Sequence, residues 1–401
     1  MKANQPHMKL WRRSASKQTK QETRMKMEEG GRFKALDALR GVAALAVVFF
    51  HLYINLWREL HWLPEPIRAT LNYGYLGVST FFVLSGFVIA HTVRCEGADF
   101  RYMGKFALRR AVRLDPPYWA SIAITIILAL LVQRVFQVAQ IYPSVENVIA
   151  HIFYLQYFLG YPPVISEVYW TLCIEVQLYL FLVLVYVLAN KLKAWRNIDV
   201  LRYSLLFMFA IGVISVLQTH KTLPGLLQGL FLPYWHYFFL GVSAYFALSG
   251  VAWMKYLFFA FVGVEVLLQS TASVNGYVIV GLASVALIYL FGLAGWLTTG
   301  LAQWPLQYLG KISYSLYLVH SDIGWKAVSF GKRLLEDQII TPFLSMLLFL
   351  LGLIVSLVAA QCLYWMVERP SIRLAKKIKR LSKNTSPTHK ATGSILEKSV
   401  H

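Results

Sequence analysis

About ten stretches of roughly twenty mostly apolar residues recur along the chain, separated by short clusters of charge. They cover about 36–57, 74–92, 117–134, 169–190, 203–218, 229–249, 256–270, 276–297, 308–330 and 342–366. Roughly twenty helical residues cross a hydrocarbon core about 30 Å thick. Within lipid, every backbone N–H and C=O must find its partner inside the protein, so such runs are predicted to be helices. The expected fold is therefore all-α: a polytopic integral membrane bundle of about 10 transmembrane helices. With 57% hydrophobic and 14% charged residues and a mean hydropathy of +0.53, nearly all of the chain reads as one membrane domain over 35–368.

The net charge of +20 would suit a nucleic-acid binder, but its placement argues against one. About 31 of the 39 Lys and Arg residues fall in segments that alternate to one side of the bundle. About five (Arg58, Arg68, Lys221, Lys332 and Arg333) fall on the other. This positive-inside bias places both termini in the cytoplasm, with membrane lipid rather than nucleic acid as the partner of the basic tails. The 1–34 tail is polar and basic, without apolar periodicity, and is expected to be mostly disordered. It contains no apolar run followed by a small-residue cleavage site, so the first span is expected to be retained.

In the 369–401 tail, apolar residues recur between lysines at helical spacing over 371–381, which predicts an interfacial amphipathic helix, with disorder beyond Asn384. Pro370 is expected to end span ten. Cys95, Cys173 and Cys362 are far apart and form no CxxC, which gives no reason to expect a disulfide framework or a metal site.

Against this apolar background, a few ionisable residues stand out. Arg40 and His51 are eleven steps apart on span one. At about 100° and 1.5 Å per residue they return to within roughly 20° of azimuth, about 16.5 Å apart along one face. Ionisable groups inside a span are expensive and point to function. Arg40 alone could snorkel to headgroups, and His51 could be a packing histidine. Arg109, Arg110 and Arg113 cluster before Pro116-Pro117, where span three is expected to open, and Tyr118 follows. Guanidinium forks suit phosphate oxygens, although arginines at such a place also enforce topology. Glu175 lies in span four with Thr171 and Tyr179 one turn to either side. It could share a proton with a nearby histidine or sit at a water interface without a partner. Ser85 in span two, and Ser313, Tyr317 and His320 on one face of span nine, read singly as packing residues.

Taken together and in this order, these motifs resemble the membrane-bound acyltransferase type 3 family, over about 33–370. The most specific parts are Arg40-x10-His51, Phe81-Phe82-x-x-Ser85-Gly86-Phe87, the Arg109-to-Tyr118 run, Trp170-Thr171-Leu172 with Glu175, and Ile312 to His320. One departure is Ser79, where family members often carry an acidic residue. No SGNH-type domain is expected after span ten, so the second catalytic step of some relatives is not carried over.

The resemblance implies a multi-pass inner-membrane enzyme moving an acyl group, most often acetyl, from cytoplasmic acetyl-CoA or another acyl-CoA to a hydroxyl. The acceptor would be a glycan, a lipid-linked glycan or a small molecule, and no metal is implied. His51 would be general base or acyl carrier. Glu175 would orient His51 or the acceptor, and Arg40 would stabilise the thioester oxygen or the cofactor. Arg109, Arg110, Arg113 and Tyr118 would bind coenzyme A. The rival class is a transporter with Arg40, His51 and Glu175 on a substrate or proton path, but neither an internal repeat nor paired broken helices support it.

Overall fold

The computed structural model describes residues 32–137, 142–220, 229–271, 274–335 and 339–384, so the expectations for 1–31 and 385–401 lie outside the described residues. All regular structure among the described residues is helical. The elements are α1 (Lys34–Asn55), α2 (Glu65–Asn72), α3 (Gly77–Thr92), α4 (Phe100–Phe136), α5 (Val145–Ile152), α6 (Trp170–Arg196) and α7 (Val200–Thr219). Then follow α8 (Trp235–Leu248), α9 (Ala252–Thr271), α10 (Gly276–Ala294), α11 (Trp304–Val319), α12 (Trp325–Leu334), α13 (Pro342–Leu363) and α14 (Arg369–Asn384).

Among the described residues, eight helical segments are long and apolar enough to cross a membrane: α1, α2 with α3, α4, α6, α7, α9, α10, and α13 running on into α14. The sixth expected span is a shorter helix, α8 with 14 residues, and the ninth is α11, which runs through a π turn at His320–Gly324 into α12. Both are deep in the bundle: α8 packs on α3, α7, α9 and α10, and α11 on α1 and α13. The backbone of α8 is covered by protein rather than lipid, which relaxes the length that a lipid-facing span needs.

Three boundaries differ from the sequence reading. Pro116 and Pro117 do not open a helix but lie inside α4, so Arg109, Arg110 and Arg113 sit in a helix interior rather than in a connecting segment. A proline pair removes the two N–H donors that would reach back to Val112 O and Arg113 O, a loss that surroundings inside a bundle can absorb; the Tyr314 hydroxyl of α11 also ties to this stretch, donating to Leu114 O, 2.9 Å away. Pro370 does not end span ten. A π turn at Tyr364–Glu368 carries the helix into α14, with the Arg369 N–H reaching back to Tyr364 O. Proline in the first turn after that widening forfeits no bond that the helix relies on. The Ser371 hydroxyl donates to Val367 O at 2.8 Å. The amphipathic helix expected over 371–381 is thus the continuation of α13 and packs against α4. The loop expected over 135–168 contains α5, capped by the Ser144 hydroxyl, which accepts from the Asn147 N–H.

Glycines set the closest crossings. A Cβ at Gly86 of α3 would lie 1.9 Å from Phe238 O of α8, and one at Gly241 of α8 would lie 1.9 Å from Val83 O of α3. α1 and α11 meet in the same way at Gly41 and Gly310. Small residues let helix backbones touch where lipid offers no hydrophobic drive to associate. Gly86→Val is therefore expected to cost more than the usual overpacking penalty of about 1–3 kcal/mol. Thermal unfolding in detergent should show a lowered midpoint or loss of monodisperse protein. Gly263→Ala, with open space around it, should leave both unchanged.

Candidate active site

The α1–α11 contact brings two imidazoles together. His51 Nδ1 lies 2.9 Å from Val47 O on its own helix and 3.2 Å from His320 Nε2. His320 Nδ1 lies 2.9 Å from Tyr317 O and 3.1 Å from Leu316 O. Carbonyl oxygens only accept, so the His320 proton sits on Nδ1 and its Nε2 is a bare acceptor. His51 must then carry its proton on Nδ1, shared between Val47 O and His320 Nε2, which leaves His51 Nε2 as the basic nitrogen. His320 opens a π turn over His320–Gly324 that follows α11 directly, and such turns re-aim side chains at functional positions.

His320 is buried, whereas His51 opens onto a cavity of about 300 Å³. Phe50, Tyr75, Glu167, Trp170, Tyr277 and Tyr317 complete its wall. The Tyr317 hydroxyl lies 2.8 Å from Thr171 Oγ1 and donates to Val168 O at 3.2 Å, which ties α11 to the start of α6. A second cavity of about 510 Å³ adjoins the first, because Glu167 and Trp170 line both. Its further lining comes from α5, the 153–163 segment and Tyr234.

Charges from four helices converge on a second centre. Arg113 of α4 lies within electrostatic range of Arg40 and Asp37 of α1, Glu175 of α6 and Glu368 of the π turn after α13. Arg110 stands 5.0 Å over the Tyr179 ring and 5.7 Å over Phe106, within range of Arg109, Arg113, Glu175 and Arg40. Arg40 also lies 4.0 Å from Asp37. The carboxylates are held from the other side. The Tyr179 hydroxyl donates to Ser85 Oγ at 3.2 Å, Ser85 donates to Glu175 at 2.7 Å, and Ser315 donates to Glu368 at 2.6 Å. Carboxylates from three separate elements, each fixed by a neighbour, make this a built centre rather than a row of snorkelling arginines.

The structure thus gathers Arg40, Arg109, Arg110, Arg113 and Glu175 into one centre and puts His51 at another, farther along α1. The carboxylate in electrostatic range of His51 is Glu167, not Glu175. Tyr118 is fully buried, stacked on Tyr154 at 4.7 Å, and its hydroxyl accepts from Gln156 Nε2 at 3.4 Å rather than meeting an arginine. Ser85 bridges helices, whereas Ser313 and Ser79 bond back to their own helical turns. Sequence reasoning read His320 and Tyr317 as packing and did not single out Glu167, Tyr75 or Tyr277. The i, i+3 spacing of Tyr317 and His320 on one polar face was the available signal.

A family model described as an acyltransferase domain matches residues 33–365, which includes His51, His320 and all of the arginine centre but Glu368. The chain belongs to the acyltransferase type 3 family. Among curated relatives of this family member are the O-acetyltransferase OatA of Staphylococcus aureus, 25% identical over 371 residues, and a putative O-acetyltransferase of Staphylococcus aureus strain COL, 24% identical over 372 residues. Each alignment covers 84% of this chain and 56% of the relative, so the chain spans a little over half the length of the curated relatives it matches. No solved structure matches the chain. The match places the chain in a family of acyltransferase domains, and its described helices are those of a multi-pass membrane protein.

Proposed function

We propose that this acyltransferase is an O-acyltransferase of the inner membrane, and in particular an O-acetyltransferase, that takes its acyl group from cytoplasmic acyl-CoA and gives it to a hydroxyl of a glycan-type acceptor. The observation that carries this reading is the His51–His320 pair: an imidazole with its Nδ1–H doubly accepted and its Nε2 unpartnered among the described residues, on a cavity wall. About 16.5 Å of helix separates it from Arg40, a distance comparable to the reach of a pantetheine arm. Arg109, Arg110 and Arg113, with Arg40, would hold the nucleotide phosphates. The distribution of basic segments and the ten-span reading, with α8 as a short crossing and α11 continuing into α12, support a cytoplasmic side for that centre and both termini.

In the proposed reaction, His51 Nε2 removes the proton of the acceptor hydroxyl as its oxygen attacks the thioester carbonyl. Collapse of the tetrahedral adduct breaks the C–S bond. The thiolate of coenzyme A leaves and takes up the proton held on His51, and the acceptor leaves as an ester. The same nitrogen could instead receive the acyl group first and pass it on; rapid quenching and mass spectrometry for acyl-His51 distinguishes the two routes. His320 would hold the reactive tautomer, and Glu175 would set the charge of the arginine centre rather than orient His51.

Purified protein in detergent, given radiolabelled acetyl-CoA, is expected to hydrolyse or transfer the acetyl group in a His51-dependent way. Movement of an unmodified solute across proteoliposomes, without thioester consumption, would instead support a transporter. His320→Phe is expected to lower kcat about 10- to 100-fold, with the KM for acetyl-CoA little changed. His320→Asn, whose side-chain oxygen can still accept from His51, should recover much of it. Equal losses in both variants would reduce His320 to packing.

A further inference from the structure

The cavity of about 510 Å³ beside the His51 chamber carries a pattern of groups that the acyl donor does not require. Two of its buried side chains present acceptors without partners among the described residues. Gln156 is 4% exposed, spends its Nε2 donors on Tyr118 and Tyr169, and leaves a buried Oε1 unbonded. His151 is 1% exposed, and its Nδ1–H donates to Asn147 O at 2.8 Å, which makes Nε2 an acceptor. Burial keeps His151 below the ordinary histidine range, so the ring stays neutral near pH 7. Glu167 adds a carboxylate, again acceptor-only.

Around these acceptors stand aromatic faces. Trp170 lies 5.2 Å from the Tyr234 ring and 6.1 Å from Tyr157, tilted about them at 43° and 41°. Among the described residues the lining contains no Lys or Arg, and neither does the sequence from 135 to 168. An unbonded buried amide oxygen costs free energy unless a ligand supplies the donor. A ligand suited to this wall brings many hydroxyl donors, apolar C–H faces to lie on aromatic rings, and no negative charge.

We infer that this vestibule is the acceptor site and that it takes an uncharged pyranose sugar, laid on Trp170 with its hydroxyls on Gln156, His151 and Glu167, and excludes acidic sugars. The inference rests on the proposed O-acyltransferase reading and narrows its acceptor. Because Glu167 and Trp170 line both cavities, a ring seated here has a hydroxyl directed toward the His51 chamber. Donor and acceptor then occupy opposite kinds of site. The polyanionic donor meets arginines, and the neutral acceptor meets a wall of lone pairs.

Binding of cellotriose, maltotriose and triacetylchitotriose, with trigalacturonate as the acidic probe, tests this by saturation-transfer NMR and tryptophan fluorescence. The full chain is purified in a detergent without a sugar headgroup. At least one neutral trisaccharide is expected to bind, with trigalacturonate weaker. Glu167→Gln should raise the acidic-to-neutral affinity ratio about tenfold, the scale of one unit charge a few ångströms away in a half-wet site. Trp170→Ala should weaken the neutral sugar by a similar factor. No neutral sugar bound by folded protein, trigalacturonate bound as tightly as the neutral sugars, or a ratio unmoved in Glu167→Gln would each overturn the inference. If His51-dependent acetyl-CoA hydrolysis persists in that case, the enzymatic reading stands and only the acceptor site falls. Sugar binding without any such hydrolysis would sink the enzymatic reading and leave the vestibule.

Discussion

Replacing His51 by alanine is expected to lower acyl transfer about 10²- to 10⁴-fold, the usual contribution of a positioned general base. The loss should appear in kcat, because the arginine centre that would hold the donor is about three helical turns away along α1. The variant also leaves His320 Nε2, a buried acceptor, without its N–H, at a cost of about 1–3 kcal/mol. Membrane accumulation and the detergent unfolding midpoint must therefore be measured beside activity. His51→Gln is the control, since its amide can donate to His320 but its oxygen is a poor base. It should fold better than His51→Ala and be equally inactive. Near-normal transfer by either variant would place the chemistry elsewhere in the bundle.

The second large effect is expected on the donor. Changing Arg109, Arg110 and Arg113 to Gln removes three charges from a centre that also holds Arg40, Asp37, Glu175 and Glu368. Charged hydrogen bonds to phosphate contribute about 1.5–3 kcal/mol each, so the KM for acyl-CoA should rise about 100-fold or more, with the acceptor KM changed little. The triple variant also strips Glu175 and Glu368 of their neutralising partners, and an unpaired carboxylate in this setting strains the fold. Single Lys substitutions separate the two effects. Lys keeps the charge but not the bidentate fork, so folding should be retained while donor affinity drops. Donor dependence unchanged throughout the series would leave the three arginines as topology signals.

The two centres were unequally legible. Arg40, His51 and the arginine run are visible because charge in an apolar span is rare, and the helical repeat alone puts Arg40 and His51 on one face. Glu175 is visible for the same reason, but its partner is not. Pairing it with His51 is reasonable from residue type, whereas the bundle gives it Ser85 and the arginines, and gives His51 the company of Glu167. Glu167 lies outside the apolar periodicity, in the segment before α6, where sequence carries no register. Pro116, Pro117 and Pro370 misled in a consistent way. Proline ends helices in water, but inside a packed bundle the tertiary contacts carry a helix past it, at Pro370 through a π turn.

What the sequence by itself determined is the material of the molecule: apolar helices, the spacing that aligns Arg40 with His51, and a charge distribution that separates a basic end from a loop without cations. These follow from local rules of helix geometry and transfer free energy, which need no knowledge of neighbours. Only the tertiary structure decided that α11 lies against α1 at Gly41 and Gly310, and hence that His320 meets His51. It also decided that Gln156, His151 and Trp170 share a wall. The physical reason is sequence separation: His51 and His320 are 269 residues apart, and a contact across that distance is set by how whole helices pack.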